Sequence, residues 1–201
     1  MKLLLTSKGL NTENILKEFN RLLTKPVNEV RVHIYYVFPD MDFDKTAYID
    51  EDRQRLITLG VPPGNVNSFD LEFESPSVDD VDVVVVLGGN VYRHMSNIRK
   101  QGMYTKIRKF IESNGVYVGR SAGAIIMGPT VDVGHWSQFP NDVGLKDTSG
   151  FGYVDFITVP HADTRESPEK VQEYHKETGQ KMIYLTDGQG LLVLDDCYKI
   201  V

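Results

Sequence analysis

The stretch GVYVGRSAGAIIMG, Gly115 to Gly128, runs from a β-branched apolar segment through one serine held between glycines and into a run of small apolar residues. That order of residue types reads as a buried strand turning abruptly into a helix. The corner GRSAG fits G-x-S-x-G, in which a strained strand-to-helix turn lifts the serine hydroxyl out of the sheet. Small neighbours make room for it. A helix start at the same point adds partial positive charge where an oxyanion would form.

Outward from this corner the same rhythm repeats. KLLLTS reads as a strand, and NTENILKEFNRLL, Asn11 to Leu23, opens on capping residues and puts Ile15, Leu16, Phe19, Leu22 and Leu23 on one helical stripe. VRVHIYYVF, Val30 to Phe38, is a second strand; Lys45 to Leu59 is a helix stopped at Gly60; NSFDLE is a short third strand. DVVVVLGGN, Asp82 to Asn90, has an apolar run without alternation, as a strand covered on both faces should. Tyr92 to Ser113 is helical with a break at Gly102, and FITVPH and GLLVL are further strands flanking a helix from Pro168 to Thr178. Strands alternating with helices at these spacings predict an α/β fold, a doubly wound and mostly parallel sheet with helices on both faces, in one domain spanning residues 1–201. The segment after Thr130 has few periodic apolar residues and many turn formers, and a loop of that length is usually functional.

Bulk properties bound the partners. The 201 residues are 41% hydrophobic and 25% charged, enough for a core without staples, and the net charge of −6 with no concentrated Lys/Arg face argues against a nucleic-acid surface. The cations of Arg93 to Lys109 scatter around a solvated helix face. One cysteine, Cys197, makes neither an internal disulfide nor a thiolate metal site. The apolar run after Met1 stops at Leu5, short of a signal peptide, and no stretch approaches a membrane span, so a cytoplasmic protein is expected. A monomer and a homodimer are equally compatible with this sequence.

The serine needs a base and an anion hole. VVVVLGGN ends a buried strand in two glycines, and ligands of open α/β sheets bind beyond the carboxyl ends of adjacent strands. Backbone N–H groups of Gly89 and Ala122 are therefore the expected oxyanion hole. LGGN lacks the spacing of a dinucleotide loop. Of five histidines, His33 lies in a strand and His94 and His175 in helical stretches, leaving His135 and His161. His161 ends a strand and is preferred because rigid placement favours catalytic geometry; a metal reading of His161 with Asp163 lacks a third ligand. Asp132, Asp142, Asp147, Asp155 and Asp187 are all candidates for the carboxylate that orients the imidazole, and spacing does not choose among them.

Taken in order, LGGN (87–90), GRSAGA and GPT (119–130), Asn141-Asp142, Pro160-His161 and TRE (164–166) resemble the aspartyl dipeptidase, or dipeptidase E, family of serine peptidases, which also includes the cyanophycinases. The likeness runs from about Asp82 to Val193. It implies a class I glutamine amidotransferase-like fold, Ser121 as nucleophile, His161 as base, and Asp142 as third member because Asn141-Asp142 stands five residues before the Asp147 of DTSGF. It further implies substrate contacts at Asn90 and Arg165, the latter taking an N-terminal aspartate as a bidentate partner. Arg120 and Ile125 stand where the dipeptidase branch tends to carry Trp and Asn. The expected activity is hydrolysis of short peptides through an acyl-enzyme, with a small peptide as substrate, no nucleic-acid or membrane partner, and no metal or organic cofactor required. The rivals are a cyanophycinase-like enzyme, an amidase, an esterase, or a relative that binds a small ligand without catalysis.

Overall fold

The computed structural model describes residues 1–38, 44–133, 136, 139–164 and 168–201. Its centre is a seven-stranded sheet in the order β3-β2-β4-β5-β1-β8-β9. The strands are β1 (Lys2–Thr6), β2 (Val32–Tyr36), β3 (Val66–Asp70), β4 (Val83–Val86), β5 (Val116–Arg120), β8 (Gly190–Leu194) and β9 (Cys197–Ile200). Those from β3 to β1 run parallel, and β8 and β9 are antiparallel additions. Two further strands, β6 (Ile157–Val159) and β7 (Met182–Tyr184), pair only with each other. FITV thus forms its strand outside the main sheet.

The chain's direction decides which face each helix covers. From β1 through α1 (Glu13–Leu22) to β2, and from β2 through α2 (Lys45–Leu59) to β3, it moves toward one edge; from β4 through α3 (Val91–Lys100) and α4 (Met103–Glu112) to β5 it moves back. Right-handed crossovers then put α1 and α2 on one face and α3 and α4 on the other. The strand side chains divide accordingly. Leu4, Ile34, Val83, Val85 and Val118 pack with Ile15, Phe19 and Leu56, while Leu3, Leu5, Val84, Val86 and Tyr117 pack with Met95, Ile98 and Ile107. Each such fully buried side chain contributes roughly 1.5–3 kcal/mol of transfer free energy.

Local signals set the boundaries. Thr12 caps α1 by accepting from the Ile15 N–H at 3.3 Å, Asp44 caps α2 through Ala47, and Gly60 ends α2 in the left-handed region at φ 114°. Gly102, at φ 68°, separates α3 from α4 at the expected break. The remaining helices are α5 (Ala122–Ile125) and α6 (Pro168–Thr178). Among the described residues no helix is long and apolar enough to cross a membrane.

Candidate active site

Register brings three strand ends level. Thr6 of β1 pairs with Arg120 of β5, and Val86 of β4 pairs with Gly119, so Ser7, Gly88 and Ser121 emerge together at the carboxyl edge. Ser121 has φ 50° and ψ −106°, a conformation that strongly disfavours a side chain, and it is held there by its N–H donating to Thr6 O at 2.9 Å. The flanking glycines are steric necessities. A Cβ on Gly119 would lie 2.4 Å from Gly123 O, and one on Gly123 would lie 2.1 Å from Val86 O. The Tyr117 hydroxyl donates to Gly123 O at 2.7 Å and ties α5 back to β5.

Opposite the serine stands His161, two residues beyond β6 and itself at φ 59°. Its Nε2 is 3.1 Å from Ser121 Oγ and its Nδ1 is 2.5 Å from Asp187 Oδ1. Asp187 sits on the turn between β7 and β8, and β8 lies beside β1. Ser7 Oγ donates to the same Asp187 Oδ1 at 3.1 Å and accepts from the His161 main-chain N–H at 2.7 Å. Lys8 Nζ lies 3.8 Å from Asp187 Oδ2. Partial burial on its own would raise the Asp187 carboxyl, but the hydrogen bonds from His161 and Ser7 with the nearby Lys8 outweigh it and hold its pKa below the ordinary value. A carboxylate on Nδ1 fixes the tautomer in which Nε2 can accept the serine proton.

Asp142 occupies a different place. It receives Arg93 Nε at 2.9 Å and Nη2 at 2.8 Å, and Asn90 Nδ2 at 3.3 Å, so it is not the carboxylate on the imidazole. The expectation fails because Asn141-Asp142 belongs to an exposed turn over the start of α3, whereas the partner of a histidine beyond β6 comes from the chain entering β8. Asn90 is also redirected. It is 2% exposed, its Oδ1 caps α3 by accepting from Tyr92 and Arg93 N–H, and its Nδ2 donates to Pro140 O, so its amide anchors the loop rather than facing a substrate. Asp147 pairs with Arg99, Asp155 with Lys181, and Asp132 accepts from the Tyr92 hydroxyl. Arg165 and His135 lie outside the described residues. Sequence reasoning passed over Ser7 altogether; the available signal was a hydroxyl residue directly after a buried apolar strand that borders the elbow.

Of the two glycines after β4, Gly88 approaches the elbow closely. A Cβ on Gly88 would lie 3.2 Å from Ser121 Cβ, and Gly89 has φ 134°. His94, fully buried, bears on Gly89 from behind; its Nδ1 lies 2.9 Å from Asn90 O, and burial pushes its pKa down to about 4. Ala122 opens α5, so its N–H has no intrahelical acceptor. Arg120 turns away from the serine into the α2 face. It is 4% exposed, bonds Asp52 at 2.7 Å and Glu51 at 2.8 Å, and lies over the Tyr48 ring at 4.1 Å. Among the described residues, no group of three or more His, Cys, Asp or Glu side chains is placed to hold a metal ion.

The sequence pattern of peptidase family S51 matches residues 3–201. The chain belongs to that family. Curated relatives include Peptidase E of Salmonella newport, 24% identical over 79% of this chain and 67% of its own length. An uncharacterized peptidase of Listeria monocytogenes is 27% identical over 69% of this chain and 70% of its own. Another from Pasteurella multocida is 26% identical over 57% of this chain, and the match spans 56% of that relative's length. Among solved structures, a Listeria monocytogenes protein solved as a candidate peptidase E superposes with a TM-score of 0.80 at 20% identity, covering 100% of this chain and 97% of its own. A peptidase from an acI-B1 actinobacterium gives 0.70 at 15% identity, covering 100% and 86%. These structural likenesses bear on the fold, which in this chain is mixed α/β around a central, mostly parallel sheet.

Proposed function

We propose that this S51 chain is a serine peptidase acting on short peptides, with Ser121 as nucleophile, His161 as general base and Asp187 as the orienting carboxylate. The observation that carries the reading is the continuous relay from Ser121 Oγ at 3.1 Å through the imidazole to Asp187 at 2.5 Å. Ser121 Oγ attacks the scissile carbonyl while its proton passes to Nε2; the Gly89 and Ala122 N–H groups receive the oxyanion; Nε2–H then protonates the leaving amine. Water, activated by the same imidazole, frees the acyl group. Asp187 keeps its charge throughout and stabilises the imidazolium.

Preference for an N-terminal aspartate belongs to the same proposal, with Arg165 as its partner. In support, Arg120, the cation next to the serine, is already committed to Asp52 and Glu51, which leaves the acidic side chain to a different guanidinium. The test is a panel of Asp-Xaa dipeptides, isoaspartyl peptides, neutral dipeptides and p-nitrophenyl esters, with Ser121→Ala as control. Turnover of Asp-Xaa dipeptides that vanishes in the control is expected. Turnover of esters alone would overturn the substrate class, and turnover that survives in the control would overturn the nucleophile.

A further inference from the structure

We infer that Ser7 is a positioning residue of the relay, an inference that rests on the hydrolase reading above. Its hydroxyl makes two hydrogen bonds, and both end on the relay: it accepts from the His161 main-chain N–H at 2.7 Å and donates to Asp187 Oδ1 at 3.1 Å. Because Asp187 Oδ1 also accepts from His161 Nδ1 at 2.5 Å, the three residues form a closed ring of hydrogen bonds. That ring sets the imidazole plane relative to its own backbone, which at φ 59° is in a conformation a histidine seldom adopts.

The ring is anchored on its rigid side. Ser7 is fully buried, and its own N–H donates to Gln189 O at 3.1 Å, two residues past Asp187. Thr6, the residue before it, accepts the Ser121 N–H through its carbonyl and also bonds Gly119 O through its hydroxyl at 3.0 Å. Adjacent residues at the end of β1 therefore hold the nucleophile's backbone and the base's backbone. A buried serine that merely satisfied itself would spend its hydroxyl on a neighbouring strand, as Thr6 does. Ser7 instead supplies Asp187 Oδ1 with a second donor, which keeps that oxygen aimed at Nδ1.

The test compares Ser7→Ala and Ser7→Thr with the wild type on its best peptide, together with the rate at which a fluorophosphonate modifies Ser121 and the downfield NMR resonance of the His161 Nδ1 proton. Ser7→Ala is expected to lower kcat about 10- to 100-fold, the scale of a relay displaced by up to an ångström, with KM within about twofold. Its Nδ1 proton should exchange faster, and Ser7→Thr, which restores the hydroxyl, should recover most of kcat. Ser7→Cys, of similar volume and weaker donor strength, replaces the alanine variant if that one does not fold, and should fall between wild type and the expected alanine loss. A kcat within threefold of wild type with an unmoved resonance would overturn the inference, as would equal losses in the alanine and threonine variants. A wild type that neither reacts with the fluorophosphonate nor turns over any peptide would instead remove the hydrolase reading, a result distinguishable from the first because it appears before Ser7 is touched.

Discussion

Changing Asp187 to Asn alters little in volume and removes the negative charge on the imidazole Nδ1 side. In the native ring Oδ1 receives His161 Nδ1–H at 2.5 Å and Ser7 Oγ–H at 3.1 Å, while Oδ2 faces Lys8 at 3.8 Å. An asparagine can keep its carbonyl toward the two donors only by turning its amide toward the lysine, and the reverse orientation presents N–H groups to N–H and O–H groups. Either way the developing imidazolium loses a counter-charge worth about 4 kcal/mol at 4 Å and an effective dielectric near 20. At about 1.4 kcal/mol per decade this is close to a thousandfold in rate, and loss of the correct tautomer brings it to about 10³- to 10⁴-fold in kcat. The companion variant is Asp142→Asn. Its partner Arg93 is 26% exposed and Asp142 37%, so that pair is worth about 1 kcal/mol or less, and kcat/KM should stay within about fivefold of wild type. Both variants are assayed by steady-state kinetics on the best peptide at pH 7, with melting curves to confirm folding. The reasoning is refuted if Asp187→Asn keeps a tenth of wild-type kcat, or if Asp142→Asn falls as far as Asp187→Asn does.

Other perturbations read the scaffold. Gly123→Ala places a Cβ 2.1 Å from Val86 O, against main chain that cannot yield, and should cost about 3 kcal/mol or more, lowering Tm by roughly 10 °C in calorimetry; an unchanged Tm would contradict the packing. Arg120→Ala removes the nearest cation from Asp52, 1% exposed, leaving it Arg55 at 3.8 Å and the Leu10 N–H at 3.3 Å, and should destabilise by about 3 kcal/mol in urea unfolding, whereas a loss under 1 kcal/mol would mean that the buried pair is dispensable. His94 gives a pH dependence. Burial lowers its pKa to about 4 from 6.5, so its contribution is complete above pH 6.5 and is lost as pH falls toward 4, up to about 3 kcal/mol in all. His33 shifts in the same direction, so the readout is a difference: between pH 7 and 4.5 the wild type should lose more stability than His94→Gln, and parallel curves would refute it.

Legibility followed sequence distance. The elbow was readable because its determinants are contiguous: the apolar strand, the two glycines where Gly123 O and Val86 O leave no room for a Cβ, and the serine all lie between Val116 and Ile126. The ends of α2 at Lys45 and Leu59 were readable for the same reason, since Gly60 writes its own stop. Asp187 stood among five candidate carboxylates but could not be singled out, because its approach to His161 depends on β8 lying antiparallel to β1, a pairing that no local pattern encodes. FITV reads like any buried strand, and nothing in it says that its partner is β7 rather than the main sheet. β9 escaped notice because an edge strand with every residue exposed carries no hydrophobic period. Asn141-Asp142 was readable as a motif and misread as chemistry: its partners Arg93 and Asn90 lie some fifty residues earlier, on an element that the motif does not mention.

The most direct measurement is to react the protein with a fluorophosphonate and locate the adduct by tandem mass spectrometry. The account predicts a single adduct on Ser121, formed far more slowly in His161→Ala and Asp187→Asn and at nearly the wild-type rate in Asp142→Asn. An adduct on another serine, or no adduct on folded wild-type protein, would contradict it.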